Sequence, residues 1–206
     1  MIRKLIFPLT FWAWAALAPN AGATLIFDLS PDNATTNRGP NSGPGQGVAV
    51  STTTTITQMA MDIDMPSGGD IKYMIWDGTN STLLFSQTQA VSPSSTQSFV
   101  LSGLFSFTLN AGSTYYFGVI GDNNLNVGFI FPSSPYSANG LAAVDGANSN
   151  YTNFATPADV GGGGADIGLR LFSGTTAAPE PSSLMLCAAG LAWAGLKRMS
   201  RVKGQK

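Results

Sequence analysis

The chain has 206 residues, 10 basic against 11 acidic side chains, no histidine and one cysteine. Without histidine, Ser-His-Asp and Cys-His catalysis and the histidine-containing zinc sites are excluded. Between residues 24 and 178 only Arg38, Lys72 and Arg170 oppose ten aspartates, a balance of −7 that speaks against nucleic-acid partners and anionic lipid surfaces.

Residues 1–23 read as a signal peptide. Arg3 and Lys4 form a charged start, Leu5 to Ala18 is almost wholly apolar, and Ala21-Gly22-Ala23 is an A-x-A cleavage site. The mature chain is expected to begin near Thr24. A permanent first membrane helix is disfavoured because Pro19 and Asn20 stop the span early. The leader implies Sec export machinery and signal peptidase as partners.

Residues 24–172 read as one exported all-β domain, an antiparallel β-sandwich or jelly roll. Thr24 to Leu29 is the first short strand. Residues 31–47, rich in Pro, Gly and Asn, read as a loop. Thr52 to Thr55 is β-branched. Met59, Met61, Ile63 and Met65 then alternate with Ala60, Asp62 and Asp64, the period of a half-buried strand with the aspartates on its solvated face. Ile71, Tyr73 and Ile75 alternate with Lys72, Met74 and Trp76, and Asp77-Gly78 is a turn dipeptide. Further strands are expected at 82–87, 99–109 with a break at Ser102-Gly103, 114–120, 127–131 and 165–172. Residues 132–164 show no period and read as a second irregular region. That is eight or so short strands separated by turn signals.

The body offers few chemical candidates. Asp62 and Asp64, two residues apart on one strand face, have the spacing of a Ca²⁺ site or a glycosidase pair, beside the simpler reading of a solvated face. Asp122 opens an Asp-Asn-Asn run with oxygens at alternate positions. It fails the EF-hand pattern, because glycine falls one place late and Ser133 stands where the bidentate glutamate belongs; a strand-to-strand turn explains it without metal, and a jelly-roll Ca²⁺ at Asp122 is the alternative. Trp76 and Tyr116 are the best glycan-stacking candidates, with Tyr115 beside them, although a plug at a core edge is the simpler reading of Trp76; Tyr136 and Tyr151 would be the exposed ones if the irregular region forms a binding rim. Three N-x-S/T matches, at Asn33, Asn80 and Asn150, are assigned no role, and Gly161 to Gly164 is no phosphate loop. Glu180 is the only glutamate and lies outside the domain. No catalysis and no cofactor are expected.

Residues 173–178 are a small-residue linker. In 179–206, Pro179-Glu180-Pro181 precedes an uncharged, mostly apolar stretch, 182–196, followed by Lys197, Arg198, Arg201, Lys203 and Lys206. The stretch reads as one transmembrane helix. Its fifteen residues rise about 22 Å, short for a hydrocarbon core of about 30 Å. Lys197 and Arg198 must snorkel, and the flanking prolines favour extended chain upstream. The basic end stays cytoplasmic, which places residue 24 onward outside. Cys187 falls in this stretch, so the body has no disulfide although an exported compartment would permit one.

The tail resembles the PEP-CTERM sorting signal. The residues carrying the resemblance are Pro179, Glu180 and Pro181, the span Leu184 to Leu196, and the basic cluster from Lys197. It implies export across the inner membrane of a Gram-negative bacterium and processing near Pro-Glu-Pro by exosortase, a membrane protease. The expected destination, after transit through the inner membrane, is the cell envelope or the extracellular space. Exopolysaccharide becomes a candidate partner, since many such proteins come from organisms that make it. Three readings of the body follow: a non-enzymatic matrix or envelope protein, a carbohydrate-binding module, and an Asp-based glycan hydrolase.

Overall fold

The computed structural model describes residues 22–30, 34–130, 135–161 and 165–174. The leader over 1–21, the Pro179-Glu180-Pro181 motif, the 182–196 span, and Lys197, Arg198 and Arg201 lie outside the described residues. Within them every regular element is a strand. The first eight are β1 (Thr24–Leu29), β2 (Ala34–Arg38), β3 (Ser42–Val50), β4 (Thr54–Ile56), β5 (Gln58–Met65), β6 (Gly69–Asp77), β7 (Leu83–Val91) and β8 (Ser94–Leu101). The rest are β9 (Phe107–Leu109), β10 (Thr114–Gly121), β11 (Leu125–Ile130), β12 (Ser137–Ala138), β13 (Leu141–Thr152), β14 (Ala158–Asp159), β15 (Asp166–Ile167) and β16 (Leu169–Ser173).

All described pairings are antiparallel. Sheet I runs β1-β16-β5-β11-β15, with β2 beside β11 and β8 beside β5. Sheet II runs β12-β13-β3-β10-β6-β7, with β14 beside β13, and β4 pairs β9 separately. The alternation at 59–65 and 70–76 produces the core. Met59, Met61, Ile63 and Met65 of sheet I share one buried cluster with Ile71, Tyr73, Ile75, Phe117 and Val119 of sheet II. Two sheets closing on one apolar layer are consistent with a β-sandwich. The Tyr73 hydroxyl ties them together by donating to the Val100 carbonyl at 2.6 Å. Burial pushes that phenol well above its ordinary range, so it remains a donor.

Two expected loops are strands. Residues 34–50, placed largely in a Pro/Gly loop, form β2 and β3, and β3 lies inside sheet II between β13 and β10. Its glycines supply space. A Cβ on Gly43 would sit 1.8 Å from the Val119 carbonyl oxygen, and one on Gly45 would sit 2.5 Å from the Tyr151 ring. Pro44, which has no N–H to donate, falls where the pairing with β10 skips two positions between Gly45 and Ser42. The supposedly irregular 132–164 holds β12, β13 and β14. Asn139 (φ 51°) and Gly140 (φ 77°) make the two-residue turn from β12 into β13, whose positive φ angles suit Asn-Gly. β13 then pairs β3 on both sides of a register shift between Ala143 and Asn148.

Candidate functional site

Trp76, Tyr116, Tyr151 and Phe154 gather on the face of sheet II that points away from the shared core, whereas Tyr115 belongs to that core. Trp76, Met74, Ile120 and Tyr151 form a second buried cluster, with Leu83, Tyr116 and Phe154 packed against it. Trp76 is only 4 % exposed. Its ring stacks on Tyr151, with centroids 5.3 Å apart and planes within 8°. Tyr151 lies over Gly118 and Gly45, where any added Cβ would strike its ring, and donates its hydroxyl to Asn80 Oδ1 at 3.1 Å. Trp76 Nε1 is buried with no hydrogen-bond partner. Lys72 closes the flank, its ammonium over the Phe154 ring and bonded to the Phe154 and Ala155 carbonyls. Trp76 therefore sits as a plug at a core edge, the simpler of its two readings, and its ring, stacked on Tyr151 and closed to solvent, is not open to a sugar. Tyr116, opposite Trp76 in the ladder, is half-buried against the same cluster. Tyr151, expected on an exposed rim, is fully buried, and Tyr136 packs edge-on against Phe27.

No protein-family model matches the chain, and no curated protein matches it.

The carboxylates also depart from expectation. Asp62 and Asp64 are 5 % and 8 % exposed, so their solvated-face reading is corrected. Period two did place them opposite the core methionines. However, β5 is an interior strand, flanked by β8 on one side and by β16 and β11 on the other. Asp62 faces Phe99 across the ladder, and its Cβ lies so near Gly168 that a methyl there would come within 2.7 Å. Asp64 accepts a 2.6 Å hydrogen bond from Asn126 Nδ2, and Asn126 Oδ1 accepts one of 2.8 Å from Asn37. Further along the same sheet, Arg170 Nε reaches Asp28 at 2.8 Å while the guanidinium covers the Phe99 ring at 3.8 Å. Partial burial raises the Asp28 carboxyl, but the hydrogen bonds from Arg170 and Ser30, with the arginine's charge, hold it below its ordinary value.

Asp122 serves a turn. Its carboxylate accepts from the Asp70 amide at 3.0 Å, its amide donates back to the Asp70 carbonyl, and Asn123 Nδ2 bonds the Gly68 carbonyl. Among the described residues no three Asp, Glu, Cys or His side chains are grouped as metal ligands would be. Asp62, Asp64 and Asp122 thus do not form such a group.

Asp77 organises the loop into β7. It accepts from the Thr79 amide and hydroxyl, the Ser81 amide and hydroxyl, and the Thr82 amide, at 2.9 to 3.3 Å. Burial acts to raise its carboxyl, but those donors outweigh it and hold the pKa at about 2. A depressed folded pKa means that the loop's stabilisation is complete above the unfolded value, about 3.9, and is lost as pH falls through the folded one. The Thr79 and Ser81 amide resonances are expected to titrate with a midpoint near 2. A midpoint near 4 would show that the loop cap is not formed.

Sequence reasoning missed one buried polar group. Gln46 and Asp166 are fully buried. Gln46 Nε2 donates to Asp166 Oδ1 at 3.2 Å and to the Val144 carbonyl at 3.3 Å, and Gln46 Oε1 accepts from the Ile167 amide at 2.8 Å. The cluster pins β15 of sheet I to β3 of sheet II. Its one local signal is a glutamine among glycines. A cleft of about 450 Å³ lies at the Asn139-Gly140 turn, lined by Ser51, Ser137, Asn139, Leu141 and their neighbours. No titratable side chain lines it, so it carries no acid–base pair.

Proposed function

We propose that this chain is an exported β-sandwich protein of a Gram-negative envelope or extracellular matrix, with a body that works without catalysis. Residues 1–23 direct export, and 179–206 form a membrane-held address from which an exosortase-type protease releases the body. The observation that carries the proposal is the order of Pro179-Glu180-Pro181, the short apolar stretch 182–196 and the cluster Lys197, Arg198 and Arg201. A stretch this short holds a protein at the bilayer for cutting better than it anchors one permanently.

The described carboxylates support the non-catalytic part. Asp28, Asp64, Asp77 and Asp122 are all engaged by neighbouring donors. A glycosidase needs two carboxyls facing a sugar-sized cleft, whereas Asp62 and Asp64 are buried within sheet I. The carbohydrate-binding alternative loses its stacking platform at Trp76. The test is fractionation of cells with and without the exosortase. Release of the body to the medium is expected only with the protease. Equal amounts of membrane-bound, full-length protein in both strains would overturn the proposal.

A further inference from the structure

Sheet II ends on β7. Among the described residues β7 pairs only with β6, and no backbone hydrogen bond outside that ladder involves Phe85–Val91. A row of main-chain donors and acceptors therefore stands at the edge of the sheet. Proteins ordinarily guard such an edge with charge, proline, a bulge or brevity. β7 is nine residues long and contains no charged residue, proline or glycine. Its one guard is a register shift at Leu84, next to its start, which leaves Phe85–Val91 regular.

The surroundings are equally bare. The whole stretch 78–121 contains no Asp, Glu, Lys or Arg, although the exported region carries ten aspartates against three basic residues. Two copies of so acidic a body repel wherever their aspartates meet. Along β7 they do not. One strand inward, β6 carries Asp70, Lys72 and Asp77; the Lys72 ammonium is held over Phe154, and the Asp77 carboxylate is bound by the amides of Thr79, Ser81 and Thr82, beyond the regular part of β7.

The regular part of β7 is also self-complementary. Reversed about Thr88, Phe85-Ser86-Gln87-Thr88-Gln89-Ala90-Val91 pairs Phe with Val, Ser with Ala, Gln with Gln and Thr with Thr. Aromatic with β-branched, and Thr with Thr, are favourable cross-strand pairs. The faces agree: Phe85, Gln87, Gln89 and Val91 are half-buried toward the core, and Ser86, Thr88 and Ala90 are exposed.

We infer that β7 is a homotypic interface, on which a second copy of this chain adds its own β7 antiparallel about a two-fold axis at Thr88. The contact uses the same surface on both partners, so it closes as a dimer instead of propagating. It joins the two copies of sheet II into one continuous sheet. This proposal does not depend on how the chain is sorted.

The test uses the full chain, purified in mild detergent, with Cys187→Ser as the background for cysteine variants. Sedimentation is expected to show a concentration-dependent dimer. Thr88→Lys places two like charges opposite each other on the axis, and is expected to leave a monomer with unchanged near-UV circular dichroism. Thr88→Cys is expected to give a covalent dimer with a short bis-maleimide. Thr55→Cys, on the exposed face of β4, is expected to stay monomeric. A wild-type monomer at every concentration would overturn the inference. So would a dimer that persists in Thr88→Lys, or cross-linking of Thr88→Cys no stronger than that of Thr55→Cys.

Discussion

Gly43→Ala is expected to unfold the body of this protein, although it adds a single methyl group to a segment that reads as a loop. The new Cβ would lie 1.8 Å from the Val119 carbonyl oxygen and 2.8 Å from the Ile120 Cα. Both are backbone atoms of β10, so no side chain can swing away and the strand itself must move. Because β3 sits between β10 and β13, that movement disturbs two ladders at once. Overpacking usually costs about 1–3 kcal/mol. A clash with main chain in an interior strand belongs to the exceptional class above about 4 kcal/mol, which approaches the whole stability of an ordinary domain. Gly39→Ala is the control, since nothing lies within 4 Å of its added Cβ. Urea unfolding is the measurement. The control is expected to keep the wild-type midpoint, while Gly43→Ala shows no cooperative transition or one at far lower urea. Wild-type stability in Gly43→Ala would mean that β3 does not run through sheet II.

Trp76→Ala is expected to destabilise the fold by about 3–5 kcal/mol, the range for truncating a large buried aromatic. For a domain of this size that lowers Tm by roughly 10 °C. The loss has two parts: a cavity among Met74, Ile120 and Tyr151, and the missing stack that holds the Tyr151 ring over Gly45 and Gly118. Trp76→Phe keeps an aromatic ring and removes an indole N–H that is buried without a partner. It is expected to cost under about 1.5 kcal/mol. A glycan platform would behave the other way. Trp76→Ala would then leave the melting temperature nearly unchanged and abolish retention on polysaccharide.

Local period was a good guide where apolar side chains recur at every second position. The alternations of Met59 to Met65, Ile71 to Trp76 and Tyr115 to Ile120 became β5, β6 and β10, because one face of each meets the shared core. The same rule was silent for β3 and β13. Gly43, Gly45 and Gly47 have no side chain to alternate, and Asn148-Ser149-Asn150 shows no apolar face, yet both strands are held by ladder bonds and by the Tyr151 ring. Exposure was the harder property. The direction in which Asp62 and Asp64 point follows from β5 alone. Whether water reaches them depends on Phe99, Asn126 and Gly168, which lie 37 to 106 positions away in the numbering. Trp76 is the same case, covered by Tyr151 from β13. Asp166 is the converse: its burial rests on Gln46, 120 positions distant. The proposed sorting role of 1–23 and 179–206 is read from composition and order alone.

The most direct measurement of the central proposal is the intact mass of the protein recovered from culture medium. The expected species begins near Thr24, ends close to Pro179-Glu180-Pro181, lacks the stretch Leu184 to Leu196, and is absent from medium when the exosortase is deleted. Recovery of released protein that still carries Leu184 to Leu196 and the basic end would contradict it.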